Sequence, residues 1–192
     1  MGYSQAQKAE SKQRVLETAS RQIRENGIEA LGVADCMRSA GLTHGAFYGH
    51  FSSRDALIVE ALEYAVAQSQ KRMIAFDESF DGKAPLRALG EFFLNANHVG
   101  NPGAGCALCA LAGEARHAGP EVREQLTRYV HALAARIAGT LAGRDEKMAL
   151  GIVATIVGAI TLARVVDTEE LAGSILSGAL DLIVTQERDS AS

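Results

Sequence analysis

The stretch from Val33 to Phe51, VADCMRSAGLTHGAFYGHF, limits what this chain can fold into more than any other. It reads as two short helices joined by a tight turn. The first runs from Val33 to Ala40. Gly41 makes the turn, because glycine takes a left-handed backbone without strain. Thr43 is the expected N-cap of the second helix, its hydroxyl accepting from an otherwise orphan backbone N–H. Two helices on this spacing form a helix-turn-helix, a motif whose second helix enters a DNA major groove.

The flanking segments read as helices too. From Gln5 to Asn26, Val15, Leu16, Ala19 and Ile23 form one apolar stripe. Lys8, Lys12, Arg14, Arg21 and Arg24 lie around the other faces. Asn26-Gly27 is a standard helix end. Ile28 and Leu31 fill the connection to Gly32, a cap position without a side-chain oxygen. Beyond Phe51, Ser52-Ser53 caps a long helix from about Arg54 to Phe80, with Leu57, Ile58, Ala61, Leu62 and Ala65 inward. Its later apolar residues, Met73, Ile74, Phe76 and Phe80, shift register, so the distal half is expected to pack elsewhere.

Asp81-Gly82-Lys83 breaks the chain, and five further helices follow. Pro85 opens one bearing Leu86, Leu89, Phe92, Phe93 and Leu94. Residues 100–105 are a loop, and Cys106 to His117 is expected to be a short helix stopped by Gly119. Pro120 starts a helix to about Leu141, and Ala142-Gly143-Arg144-Asp145 turns. The last two run over about Glu146–Val166 and Glu169–Gln186, the second capped by Asp167 or Thr168. Glu187 to Ser192 is an expected disordered tail. The predicted fold is all-α with nine helices. Residues 1–53 form a three-helix head, and residues 54–192 form a body entered through the helix at about 54–80.

Bulk properties agree with a helical protein and exclude several classes. Of 192 residues, 47% are apolar, none is Trp and three are Pro. The net charge of −4 offers no global field for a polyanion. Residues 1–24 carry five basic and two acidic groups, while residues 25–60 carry two basic and five acidic, so any DNA affinity depends on placed local charge. The first 22 residues are polar and charged, unlike a signal peptide. Met148 to Val166 is long enough for a membrane span but is interrupted by Gly151, Thr155, Gly158 and Thr161, which suits a core or interface helix better. Three Cys argue against a disulfide framework and fit a reducing cytoplasm.

Ala40-Gly41-Leu42-Thr43-His44-Gly45-Ala46-Phe47-Tyr48-Gly49-His50-Phe51, followed by Ser52-Ser53-Arg54-Asp55-Ala56-Leu57, resembles the DNA-binding signature of the TetR/AcrR family of bacterial transcriptional repressors. That signature runs A-G-V-S-K-G-x-hydrophobic-Y-x-H-F, then a small cap residue, K/R, D/E and Leu. The resemblance covers roughly residues 10–65. It implies a homodimer whose heads read a palindromic operator and whose bodies dimerise and bind a small-molecule inducer. It further implies that the helix from Arg54 swings on induction and changes the head spacing. By the same resemblance, Thr43, Tyr48, His50 and Arg54 would touch phosphates, which position without reading sequence. His44 and Gly45 would meet base edges, and Phe47 and Phe51 would sit in the head core against Ile23, Val15 and Leu57. Three departures stand out: His44 where Lys or Arg is usual, Cys36 and Met37 where Ile and Ala are usual, and Gly32 in place of Thr or Ser.

The body is less specific. Cys106-Ala107-Leu108-Cys109 reads either as two core residues on one helix face or, as in some relatives, as a thiol sensor. Cys106 is then the more reactive. Phe92, Phe93, Asn97, Cys106, Cys109, Tyr129 and Leu133 are candidates for lining an inducer cavity. Small and apolar faces on the last two helices suggest a four-helix dimer interface through Leu150, Val153, Val157, Ile160, Ile175, Leu176, Ala179 and Ile183. No cofactor, metal site or catalytic set is expected. The competing reading is an all-helical C-x-x-C thiol peroxidase resembling alkylhydroperoxidase, with Glu114 and His117 beside Cys109. That family's pattern resembles C-x-x-C-x-x-x-H, whereas seven residues separate Cys109 from His117 here.

Overall fold

The computed structural model describes residues 5–79, 84–141, 143 and 145–189. Among them all regular structure is helical: nine α-helices and two short 3-10 helices. The α-helices are α1 (Gln5–Asn26), α2 (Val33–Ser39), α3 (Arg54–Ser79), α4 (Pro85–Phe93), α5 (Ala96–Gly100), α6 (Ala107–Leu111), α7 (Pro120–Ala138), α8 (Glu146–Val165) and α9 (Glu169–Asp189). The 3-10 helices are His44–Gly49 and Pro102–Ala104. Phe80, the break at Asp81-Gly82-Lys83, the turn residues Ala142 and Arg144, and the end of the tail, residues 190–192, lie outside the described residues.

Two compact units emerge, one holding residues up to Gln70 together with Pro102–Gln125, the other Lys71–Asn101 with the rest from Leu126. In the first unit, α1, α2, the 3-10 helix and the start of α3 enclose Val15, Ala19, Ile23, Cys36, Met37, Phe47, Phe51 and Leu57, all under 4% exposed. Cys36 and Met37 therefore serve as core. Burial pushes the Cys36 thiol up to about 11, because a thiolate cannot be solvated there. Ser53 caps α3 by accepting from Ala56 N–H at 3.0 Å. The 102–125 segment is tied to α1 and the loop after it: buried Arg24 donates to the Gly105 carbonyl at 3.0 Å, and Glu114 accepts from Ile28 N–H at 2.8 Å. Gly27, at φ +90°, ends α1 with its N–H on the Ile23 carbonyl.

The expected helix from Cys106 to His117 stops at Leu111. Residues 112–118 continue instead as hydrogen-bonded turns, with Glu114 N–H on the Leu111 carbonyl and His117 N–H on the Glu114 carbonyl. Gly113 weakens a helix there, and the Glu114 side chain is engaged with the loop after α1.

In the second unit α8 packs on α9 and α5, and α9 on α4. Caps fix the starts: Asp145 accepts from Met148 N–H, Thr168 from Leu171 N–H and Asn95 from His98 N–H. Phe76 meets Phe92 at 5.0 Å, the contact that the register shift in the distal half of α3 anticipates. Among the described residues α8 alone has the length and hydropathy of a membrane span.

His98 is buried, with Nδ1 2.8 Å from the Phe93 carbonyl. Burial holds its imidazole below the usual value, against the opposing pull of the Phe93 carbonyl, and Arg164 and Arg72 lower it further. A histidine depressed in the folded state contributes stability that is present above its unfolded value, about 6.5, and is lost as pH falls below it. The melting temperature should therefore fall on acidification below about pH 6.5. The acid limb should be shallower in His98→Gln, and superimposable limbs would remove His98 from the account.

Candidate nucleic-acid interface

The turn after α2 is a Schellman motif. Leu42 N–H bonds the Met37 carbonyl at 2.9 Å and Gly41 N–H the Arg38 carbonyl at 3.0 Å, with Gly41 at φ +74°. The second helix of the motif is not α-helical: His44–Gly49 is a 3-10 helix of six residues. Its inner face is fixed by Phe47, which is 2% exposed, meets Tyr48 edge-on at 5.2 Å and stacks on Phe51 at 5.7 Å.

With Phe47 anchored, Thr43, His44, Gly45 and Tyr48 are all exposed. Tyr48 is 74% exposed. A Cβ placed on Gly45 would meet nothing within 4 Å, so no contact within the protein requires glycine there. Thr43 has the extended backbone of an N-cap, but its side chain makes no cap hydrogen bond among the described residues, contrary to expectation. The first turn is closed by Ala46 N–H on the Thr43 carbonyl, which leaves the hydroxyl outside the helix. Gly32 likewise caps α2 without a side chain.

His50 is half-buried, and its Nδ1 is buried with no hydrogen-bond partner among the described residues. Burial, then Lys8, then Lys12 hold its imidazole below the ordinary value. Arg54, expected at a phosphate, is engaged within the head. Its Nε donates to the Leu31 carbonyl at 2.9 Å and its Nη2 to those of Ile28 and Glu29 at 2.7 and 3.1 Å. Three carbonyls at the loop between α1 and α2 thus fix the guanidinium, a role that sequence reading missed.

The body candidates fall in both units. Phe92, Phe93, Asn97, Tyr129 and Leu133 belong to the second, and Cys106 and Cys109 to the first. Phe93, Tyr129, Leu133, Cys106 and Cys109 are buried, Phe92 is half-buried and Asn97 is exposed. Of the expected interface set, Val153, Ile160, Leu176, Ala179 and Ile183 are buried within the protomer, so they form its own core. Leu150 is exposed, and Val157 and Ile175 are half-buried. The large apolar side chains left outside on α8 and α9 are Leu150, Leu162, Val165, Leu171 and Leu182.

Residues 15–61, which span this head, match the family model described as bacterial regulatory proteins, tetR family. This head is thus similar to the DNA-binding head of TetR-family regulators. Among its relatives, the uncharacterized HTH-type transcriptional regulator YerO of Bacillus subtilis is 34% identical over 80 residues, 42% of this chain and 28% of that one. The HTH-type transcriptional regulator AcrR of Shigella flexneri is 27% identical over 86 residues, 45% of this chain and 40% of that one. The chain thus spans less than half the length of these curated relatives. Likeness in fold to TetR-family structures extends over most of the chain. A TetR-family regulator of Cytophaga hutchinsonii superposes with a TM-score of 0.78 at 18% identity, covering 97% of this chain and 98% of that one. The reduced form of E. coli NemR gives 0.76 at 19%, covering 91% and 95%.

Proposed function

We propose that this chain is a TetR-family DNA-binding transcriptional regulator that acts as a cytoplasmic homodimer on a palindromic operator, most simply as a repressor released by a small molecule. One observation carries the reading: Thr43, His44, Gly45 and Tyr48 project together from a 3-10 helix whose other face is locked by Phe47. In this reading His44 and Gly45 meet base edges, and Thr43, Tyr48 and His50 meet phosphates. Arg54 acts by holding the loop between α1 and α2 in place. The outer apolar side chains of α8 and α9 form the dimer face. Burial of both Cys106 and Cys109 supports release by an unidentified small molecule over release by thiol modification. It also favours a regulator over a thiol enzyme. Fluorescence anisotropy with promoter-length genomic fragments should find some bound saturably against excess unrelated duplex. Equal affinity for every fragment would overturn the proposal.

Gly45→Ala separates fold from binding. The added methyl has free space in the protein and restricts the unfolded chain, so stability should be unchanged or raised by up to about 1 kcal/mol. Duplex affinity should fall about tenfold or more, because the methyl stands where the backbone approaches the bases. An unchanged dissociation constant would remove Gly45 from the interface.

A further inference from the structure

Between α1 and the 3-10 helix His44–Gly49 lies a pocket of about 340 Å³, lined among others by Lys8, Leu42, Thr43, Gly49 and His50. Among the polar groups that line it are Lys8, Thr43 and His50. The Thr43 hydroxyl makes no cap bond. His50 Nδ1 is buried and unpartnered among the described residues, a condition that is costly unless something else satisfies it. Lys8 supplies the charge.

Arg21 is exposed and lies outside the pocket, and the remaining cations of the head are committed. Lys12 pairs with Glu60 at 2.6 Å and lies over the Phe51 ring at 5.3 Å. Arg14 pairs with Glu10, and Arg38 with Asp35. Arg24 and Arg54 donate to backbone carbonyls. His44–Gly49 contains no Lys or Arg, and burial, then Lys8 and Lys12, disfavour a charged His50. An ammonium, a hydroxyl and an imidazole N–H are all donors. Their common ligand is an oxyanion, and on this face it is a phosphodiester of the DNA backbone.

Building on the regulator reading, we propose that Lys8, Thr43 and His50 form a single phosphate cradle, with Lys8 of α1 as the permanent charge that anchors the head to DNA. Such a contact is blind to sequence and sensitive to salt.

The test uses the full-length protein and a random-sequence duplex, with anisotropy read between about 50 and 200 mM salt. Lys8→Gln should weaken binding uniformly across sequences. It should also make the slope of log affinity against log salt shallower by about one per head, while Lys8→Arg restores the slope. Arg21→Gln, an exposed charge of α1 outside the pocket, should leave the slope near the parent value. Melting curves should be unchanged, because Lys8 is exposed. An unaltered slope in Lys8→Gln, or equal losses in Lys8→Gln and Arg21→Gln, would overturn the cradle and leave the regulator reading standing. A parent protein that binds no duplex at all would overturn both.

Discussion

Phe47→Ala should destabilise the head by about 3–5 kcal/mol and abolish DNA binding with it. Phe47 fills the centre of the first unit and carries the 3-10 helix on its back. It is 2% exposed, stacks on Phe51 and meets Tyr48 edge-on. Removing the ring leaves a cavity in a core whose other members, Val15, Ile23 and Leu57, are already fully buried and have no low-cost way to fill it. A domain this size has a total stability of about 5–15 kcal/mol, so the loss is a third or more of it. His44–Gly49 is also short and 3-10, with no helical stability of its own to hold the exposed residues in place. Urea unfolding and duplex binding, measured on one preparation, check both halves. A loss below about 1 kcal/mol with intact binding would contradict the assignment of Phe47 as the anchor.

Leu162→Glu combined with Leu182→Glu should turn a dimer into a monomer. Leu162 is 56% and Leu182 65% exposed in the protomer, so neither change should harm the fold. In a dimer that covers these faces, each glutamate would be buried without a partner. Truncating or mispairing a buried charge typically costs about 3–5 kcal/mol, which weakens association by roughly two to four powers of ten. Operator binding should fall in parallel, because two half-sites must be met about one helical turn apart. By contrast Val153→Ala, on the buried face, should lower the melting temperature and leave the association constant nearly alone. Sedimentation equilibrium decides. A double variant that remains dimeric would place the interface elsewhere on the chain.

Much of this fold is legible in the sequence, where single residues carry strong local chemistry. Asn26-Gly27, Pro85, Pro120 and Thr168 mark helix ends because each has one dominant backbone use, and α1, α4, α7 and α9 begin or end there. Phe47 and Phe51 lie inward as the family resemblance implies. The losses have physical causes. A six-residue element with Gly45 and Gly49 has too little periodicity to separate 3-10 from α. α5 rests on one Asn95 cap in a stretch without an apolar stripe. On α8 and α9 apolar and small residues surround the helix, so spacing gives no way to tell the protomer's core face from its outer face. Five interface candidates proved to be core for that reason. Arg24 and Arg54 look like surface charge in sequence but donate to carbonyls, because an arginine's destination depends on which loop the fold brings within reach. The Lys8 pocket depends on the approach of two segments some 35 residues apart.

In the proposed regulator, two copies of the Thr43–His50 surface read one symmetric site. The most direct measurement is selection of bound duplexes from a fully random pool by the purified full-length chain, followed by sequencing. The account predicts a single inverted repeat, with half-site centres about 10–10.5 base pairs apart or a multiple of that. Positions inside each half-site should lose their preference in Gly45→Ala. Recovery of no enriched sequence, or of an asymmetric motif indifferent to Gly45→Ala, would contradict it.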